Sequence, residues 1–295
     1  MVIHMKIQYL NGGLANQTFQ YIFVRYAQLS QPENNDWFFD DSFFFTNKVH
    51  NGYELEKIFG LHLPLLSRYF DTQTWNQFIA DKKNGISIPQ AFKNLGFDVK
   101  MITEFENYKE HNPFDGIIYR VPGNTFVPEI TALQDEFLYY HGYWLHPEWF
   151  HRYRDIFMKE LALPPIDDEK NKKYAETILT THSVAVHIRR GDYVQLGWAA
   201  DTACYLEKVK ELLTRYPDAA FFIFSDDIAW CRKNQEALGL TLPYKTIYIE
   251  GNDKGRNYID LYLMSLCNIM LIGRSAFSYL AMLLNNRLEE QCFIN

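Results

Sequence analysis

The sequence predicts an α/β protein built on parallel sheets, and three observations predict it. Apolar runs of strand length alternate with amphipathic runs of helix length through the second half. Glycine and charged residues gather just after the apolar runs, at the carboxyl ends where open parallel sheets hold their ligands. The chain also begins with a strand, a glycine turn and a helix.

Residues 3–10 form the first predicted strand, Asn11-Gly12-Gly13 its turn, and 15–29 a helix carrying Phe19, Ile22, Phe23 and Tyr26 at i, i+3, i+4, i+7. The turn lacks the GxGxxG spacing of dinucleotide sites. It reads either as a plain tight turn or as backbone N–H groups offered to an anion at a helix start. From Gln31 to about Asn124 the pattern dissolves into short aromatic runs and polar loops, with a helix near 53–59 and no repeat or heptad. A strand at 137–140 and a helix over 148–161 follow, closed by Leu163-Pro164-Pro165. These prolines and the charged run 167–173 place the boundary between two domains, 1–165 and 166–295.

The second domain reads as strand 183–188, helix 203–215, strand 221–224, helix 228–238, strand 246–249, helix 258–267, strand 269–272 and helix 275–284. Alternation along the first of these strands puts His187 and Arg189 on one face and Val186, Ile188 and Arg190 on the other, before Gly191-Asp192 turns the chain. Arg189 to Asp192, then Asp226-Asp227, then Arg274-Ser275 each follow a strand, so they converge on one sheet edge. The plainer reading makes the arginines solvated partners of nearby carboxylates, and Asp226, Asp227 and Ser275 helix caps. Asp260, inside a helix, reads as internally paired or solvated.

With 47% hydrophobic residues in 295, the chain can bury a substantial core, which excludes general disorder. A net charge of -7 gives no electrostatic footprint for nucleic acid or an anionic bilayer. No apolar run approaches the ~20 residues of a membrane span, so no integral membrane segment is expected. Cys204, Cys231, Cys267 and Cys292 lack CxxC spacing, which fits reduced thiols, a cytoplasmic protein and no zinc site. Aromatics are the outlier at 17%. Each ring reads first as core, although the clusters 37–39, 43–45 and 139–144 also suit stacking on sugars.

Together the motifs resemble the α-1,2-fucosyltransferases, whose mark HxRRGDY stands complete as His187-Ile188-Arg189-Arg190-Gly191-Asp192-Tyr193. Gly12-Gly13-Leu14-Ala15-Asn16-Gln17-Thr18-Phe19-Gln20-Tyr21 is similar to the family's GGxGNQxFQY. Phe222 to Asp227 resembles its FxxFSDD, and Asp260 to Cys267 its DLxLMSxC. The resemblance runs from about residue 7 to 285, and it implies a GT-B-like fold, two Rossmann-like domains facing a central cleft. It implies an inverting, metal-independent galactoside α-1,2-fucosyltransferase of bacterial type, acting in polysaccharide biosynthesis. GDP-L-fucose would be bound by 166–295 and the acceptor glycan by 1–165, with the last helix packing back on the first domain. No cofactor is implied, and peripheral association with a lipid-linked acceptor is compatible.

On this resemblance Arg189 holds the β-phosphate and stabilises departing GDP, with Asn16 as its catalytic companion. His187, Arg190, Asp192, Asp226, Ser275, Ala276, Gly12 and Gly13 line the donor site. Asp226 binds the guanosine portion, while Gly12, Gly13 and Asn16 reach the phosphates or fucose. Asp40, Asp41 and Glu54 are candidate bases that nothing in their spacing separates. The chain departs from the family pattern twice, with Ala15 before Asn16-Gln17, and with Gly273-Arg274-Ser275-Ala276-Phe277-Ser278-Tyr279-Leu280-Ala281 where ANSSFSWWG is common. The second departure supports an alternative, a transferase for another nucleotide sugar. Another alternative is a silent glycan-binding relative.

Overall fold

The computed structural model describes residues 5–33, 36–105, 118–241, 245–253 and 255–294. Two compact units divide the chain, Met1–Ala162 and Leu163–Asn295.

The first unit is built on a parallel sheet of β1 (Met5–Tyr9), β2 (Trp37–Asp40), β3 (Lys100–Thr103), β4 (Ile118–Arg120) and β5 (Phe137–His141), in the order β2-β1-β5-β3-β4. β1 and β5 pair in register from Met5↔Phe137 to Gln8↔Tyr140, and both are buried along most of their length. Residues 3–4 of the first expected strand lie outside the described residues. The helix Leu14–Ser30 is buried nearly all round, Gln17 and Gln20 included, so its amides must find internal partners.

The first helix and the strand at 137–140 fall within a residue of expectation, much of the rest of this unit was unread in the sequence, and one helix needs correction. The helix expected over 148–161 is two, Glu148–His151 and Arg154–Glu160. The break is at Tyr153, whose backbone leaves the helical region (φ -130, ψ 34) and whose ring meets Tyr26 at 5.6 Å. Most rings of clusters 37–39 and 139–144 are core: Trp37, Phe39, Tyr139, Tyr140 and Trp144 are all buried. Trp144 stacks on Phe23 at 4.4 Å and donates its indole N–H to Gln8.

The second unit carries β6 (Ser183–Ile188), β7 (Ala220–Ser225), β8 (Thr246–Tyr248), β9 (Ile269–Ile272) and β10 (Glu290–Phe293), all parallel, in the order β10-β9-β6-β7-β8. From β6 the chain winds outward through β7 and β8, returns past β6 to β9, and winds the other way. The order therefore reverses between β6 and β9, the switch point where doubly wound sheets place nucleotides. Helices Thr202–Arg215, Tyr258–Ser265 and Ala276–Leu283 fall within a residue or two of expectation. The helix expected to reach 238 stops at Lys233, because the Asn234 side chain donates to the Trp230 carbonyl and Gly239 takes a positive φ. The sequence reading missed β10, whose alternating partial burial marks an edge strand.

Candidate active site

Val184, Val186 and Ile188 anchor β6 in the core of the second unit, and the strand delivers His187 and Arg189 to the switch-point edge. His187 is fully enclosed, its ring 6.1 Å from Phe277. Burial lowers its imidazole to about 4, helped by the Arg189 charge, so the ring is neutral near neutral pH. Its Nδ1 has no hydrogen-bond partner among the described residues.

Arg189 is held between two carboxylates. Nε and Nη2 donate to Asp192 Oδ1 at 3.1 and 2.8 Å, and Nη1 lies 2.9 Å from Asp226 Oδ2. The other Asp226 oxygen accepts the Arg190 backbone N–H at 2.8 Å. Gly191 makes this approach feasible, since a Cβ there would sit 2.6 Å from Asp226 Oδ2. Arg190 points elsewhere, its guanidinium 3.5 Å from the Trp230 ring centroid and 3.9 Å from Asp227. Asp227 caps the helix Ile228–Lys233 through the Trp230 N–H, as the plain reading had it.

Across the switch point, Ser275 and Ala276 open the helix Ala276–Leu283. Ser275 occupies the capping position in extended conformation, yet its hydroxyl makes no capping bond, which leaves first-turn N–H groups facing the edge. The exposed Arg274 presents its carbonyl to the Tyr193 hydroxyl at 2.6 Å. Tyr193 thus ties the loop after β6 to the loop after β9.

The first unit sorts its amides in a way the sequence did not show. Gln17 donates to the Gly12 and Gly52 carbonyls at 2.9 Å each and accepts the Glu54 N–H. Gln20 holds Asn11. Asn16, half-buried, has no hydrogen-bond partner among the described residues, and its Nδ2 lies 2.6 Å from where a Gly12 Cβ would be. Gly12 takes φ +79, and Gly13 sits at the helix start without a side-chain cap.

Asp40, Asp41 and Glu54 are buried and engaged. Asp40 accepts from the Tyr139 hydroxyl and the Ser42 N–H, Asp41 from Ser67, and Glu54 from Asn51. Three titratable groups that the sequence reading missed stand by the same sheet edge. Lys82 lies 3.6 Å from Asp40 and 4.3 Å from the Tyr9 ring centroid. His141 is driven to about 3 by burial and the Lys82 charge. Glu104 accepts the Tyr143 and Trp144 N–H groups at 2.7 and 2.8 Å, and burial raises its carboxyl above the ordinary range. In the second unit Asp260 is partly buried and hydrogen-bonded to Asn252 at 2.7 Å. Among the described residues no three His, Cys, Asp or Glu side chains are grouped to hold a metal, and no helix is long and apolar enough to cross a membrane.

An alpha-1,2-colitosyltransferase of Escherichia coli is 26% identical over 283 residues, covering 94% of this chain and 86% of that protein. The galactoside 2-alpha-L-fucosyltransferase Sec1 of Mus musculus is 31% identical over 149 residues, or 46% of this chain; the match spans 39% of that protein. Among solved structures, fucosyltransferase NodZ from Bradyrhizobium superposes with a TM-score of 0.50 at 10% identity, covering 96% of this chain and 93% of that one. A FUT1 variant of Arabidopsis thaliana in complex with GDP gives 0.51 at 15% identity, covering 98% and 69%. These likenesses are of fold, and the class is GT-B-like α/β. The model of Glycosyl transferase family 11 matches residues 117–289, more than half of the sequence, and the chain belongs to that family.

Proposed function

We propose that the chain transfers L-fucose from GDP-β-L-fucose to the 2-hydroxyl of a galactose-containing acceptor, with inversion, forming an α-1,2 linkage. The observation that carries this reading is the switch point between β6 and β9, where Arg189 stands opposite the uncapped start of the helix Ala276–Leu283.

In this reading the diphosphate lies on that edge and takes Arg189 from its carboxylates. The acceptor oxygen attacks the anomeric carbon opposite GDP; the bond from that carbon to the phosphate oxygen breaks, its electron pair leaves with GDP, and the hydroxyl's proton passes to water. Arg189 strengthens its hold as that charge grows, so its stabilisation is greatest in the transition state. Ser275 and Ala276 add helix N–H groups, and neutral His187 packs the nucleotide wall. Asp192 and Asp226 position Arg189, a role the geometry favours for Asp226 over guanosine binding. Arg190, turned onto Trp230, fixes the loop. Asn16, with Gly12 and Gly13, would serve sugar binding. Arginine and amide groups meet the diphosphate's charge without metal or cofactor. An oxocarbenium-like transition state needs little base assistance, and Asp40, Asp41 and Glu54 are engaged as scaffold.

A second reading, transfer of another GDP-linked 6-deoxy sugar, is favoured by Arg274 and Ala276 and by the colitosyl activity in the E. coli relative's name. Colitose is fucose without its 3-hydroxyl, so one pocket group separates the donors. The test is incubation with GDP-L-fucose or GDP-L-colitose, lactose or N-acetyllactosamine, and EDTA, following GDP release and product linkage by NMR. An α-1,2-fucosylated product supports the first reading; turnover of GDP-L-colitose alone supports the second. GDP binding without turnover of either donor points to a silent glycan-binding protein.

A further inference from the structure

We infer that Trp198 is the platform on which the acceptor's pyranose ring stacks, set on the rim of the donor edge by Tyr193; the inference rests on the donor site proposed above. Trp198 is 60% exposed, although a tryptophan ring is among the largest apolar groups a fold can bury. It is not on a loose loop. Its backbone N–H donates to the Tyr193 carbonyl at 2.8 Å, the Ala199 N–H joins it at 3.2 Å, and the Gly197 N–H closes on Val194 at 3.3 Å. Two residues on, Ala200 packs against the core of the second unit and Asp201 caps the helix Thr202–Arg215. The exposed ring is therefore held in place by the backbone around it.

Its position relates it to the chemistry. The Trp198 ring stands edge-on to Tyr193, with centroids 5.6 Å apart and planes at 84°. Arg189 lies 5.7 Å from the other participant in that contact, the Tyr193 ring, whose hydroxyl is fixed on Arg274. Two ring contacts through Tyr193 thus connect the indole to the proposed phosphate-holding guanidinium and set it on the rim of that site. A galacto-configured ring carries the hydrogens of C3, C4 and C5 on one face and hydroxyls around its rim, which complements a fixed indole with open solvent beside it.

Val194 and Leu196 are exposed as well, which raises a lipid surface as the other occupant. The segment 191–200 carries Asp192 and no lysine or arginine, so it lacks the cationic attraction that interfacial segments use. The sugar is the occupant we assign.

The experiment uses the full chain, wild type and with Trp198→Ala or Trp198→Phe. GDP affinity is measured by calorimetry, and saturation-transfer NMR with GDP present follows methyl β-galactoside, lactose and N-acetyllactosamine. The expected result is unchanged GDP affinity in all three proteins, transfer to at least one sugar in the wild type, loss of about tenfold in sugar affinity with alanine, and retention of most of it with phenylalanine. Equal sugar signals in wild type and alanine variant, or no signal from any sugar, overturn the assignment. Loss of GDP affinity with alanine also overturns it, because the ring would then support the donor edge. Binding to neutral phosphatidylcholine vesicles that falls in the alanine variant while sugar signals persist assigns the ring to lipid instead. Failure of the wild type to bind GDP defeats the donor-site reading, and the sugar signals then judge the platform by themselves.

Discussion

Arg189 and Asp226 form an ion pair of 2.9 Å directly over Gly191, so the guanidinium proposed to hold a diphosphate is already aimed and already compensated. Removing the carboxylate should separate aiming from charge. Asp226→Asn keeps a group for the Arg190 N–H but releases Arg189. The expected outcome in steady-state kinetics and GDP calorimetry is a kcat about tenfold lower, with GDP affinity within about threefold of wild type. A parallel collapse of GDP affinity would return Asp226 to direct nucleotide contact.

Arg189→Ala removes the interaction that grows during departure of GDP, and turnover is expected to fall by about a hundredfold or more, measured as GDP release. Arg189→Lys keeps charge without the two-sided fork and should recover only part of the loss. Wild-type turnover in the alanine variant would remove Arg189 from the mechanism.

Gln17 and Asn16 are adjacent in sequence and opposite in use. Gln17→Ala strips partners from the Gly12 and Gly52 carbonyls and the Glu54 N–H, a loss of about 1–3 kcal/mol, visible as a lower melting temperature. Asn16→Ala breaks no internal hydrogen bond among the described residues, so melting should stay put while kcat drops by about tenfold or more. A thermal penalty from Asn16→Ala equal to that of Gln17→Ala would refute the division.

Asp260 predicts a pH signature. Burial pushes its carboxyl up to about 7, against the opposing hydrogen bond from Asn252, so the fold retains a proton that the unfolded chain releases. The resulting stability is complete below the ordinary carboxyl range, about pH 4, and is lost as pH rises through about 7. Asp260→Asn keeps an acceptor and abolishes the titration. Wild type should melt progressively below the variant between about pH 4 and pH 7; a constant offset across that range would exclude Asp260 as the cause.

The sequence revealed what long-wavelength patterns carry. The apolar run of β6 ends in three charges and a glycine, and that of β9 in a glycine and an arginine before its helix, so the polar ends of these strands were legible. Most of residues 31–124 was not: helices of four residues such as Phe43–Thr46 and Leu66–Tyr69 are too short for a 3.6-residue period to register, and the longer helix Thr72–Lys83 buries only Trp75, Phe78, Ile79 and Asp81. Glu104 gave no signal because its partners are backbone N–H groups of Tyr143 and Trp144, remote in sequence and unreadable as residue types. The opposed uses of Asn16 and Gln17 depend on which side of a largely buried helix each occupies, which only packing decides. The pairing of Asp226 with Arg189 was not legible either, because it follows from how near Gly191 lets the carboxylate come.

The carboxylates around Arg189 also bear on how a nucleotide finds this edge. Arg189 and Arg190 stand among Asp192, Asp226 and Asp227, so at a distance the positive and negative fields largely cancel. Encounter is then unsteered, and its rate varies little with ionic strength. In a medium crowded with inorganic phosphate, nucleotides and nucleic acid, a bare arginine cluster would stand permanently occupied. At the proposed site an anion would have to displace Asp192 and Asp226 by fitting both the guanidinium and the helix start beyond it, so discrimination would fall on shape at contact and not on charge at range.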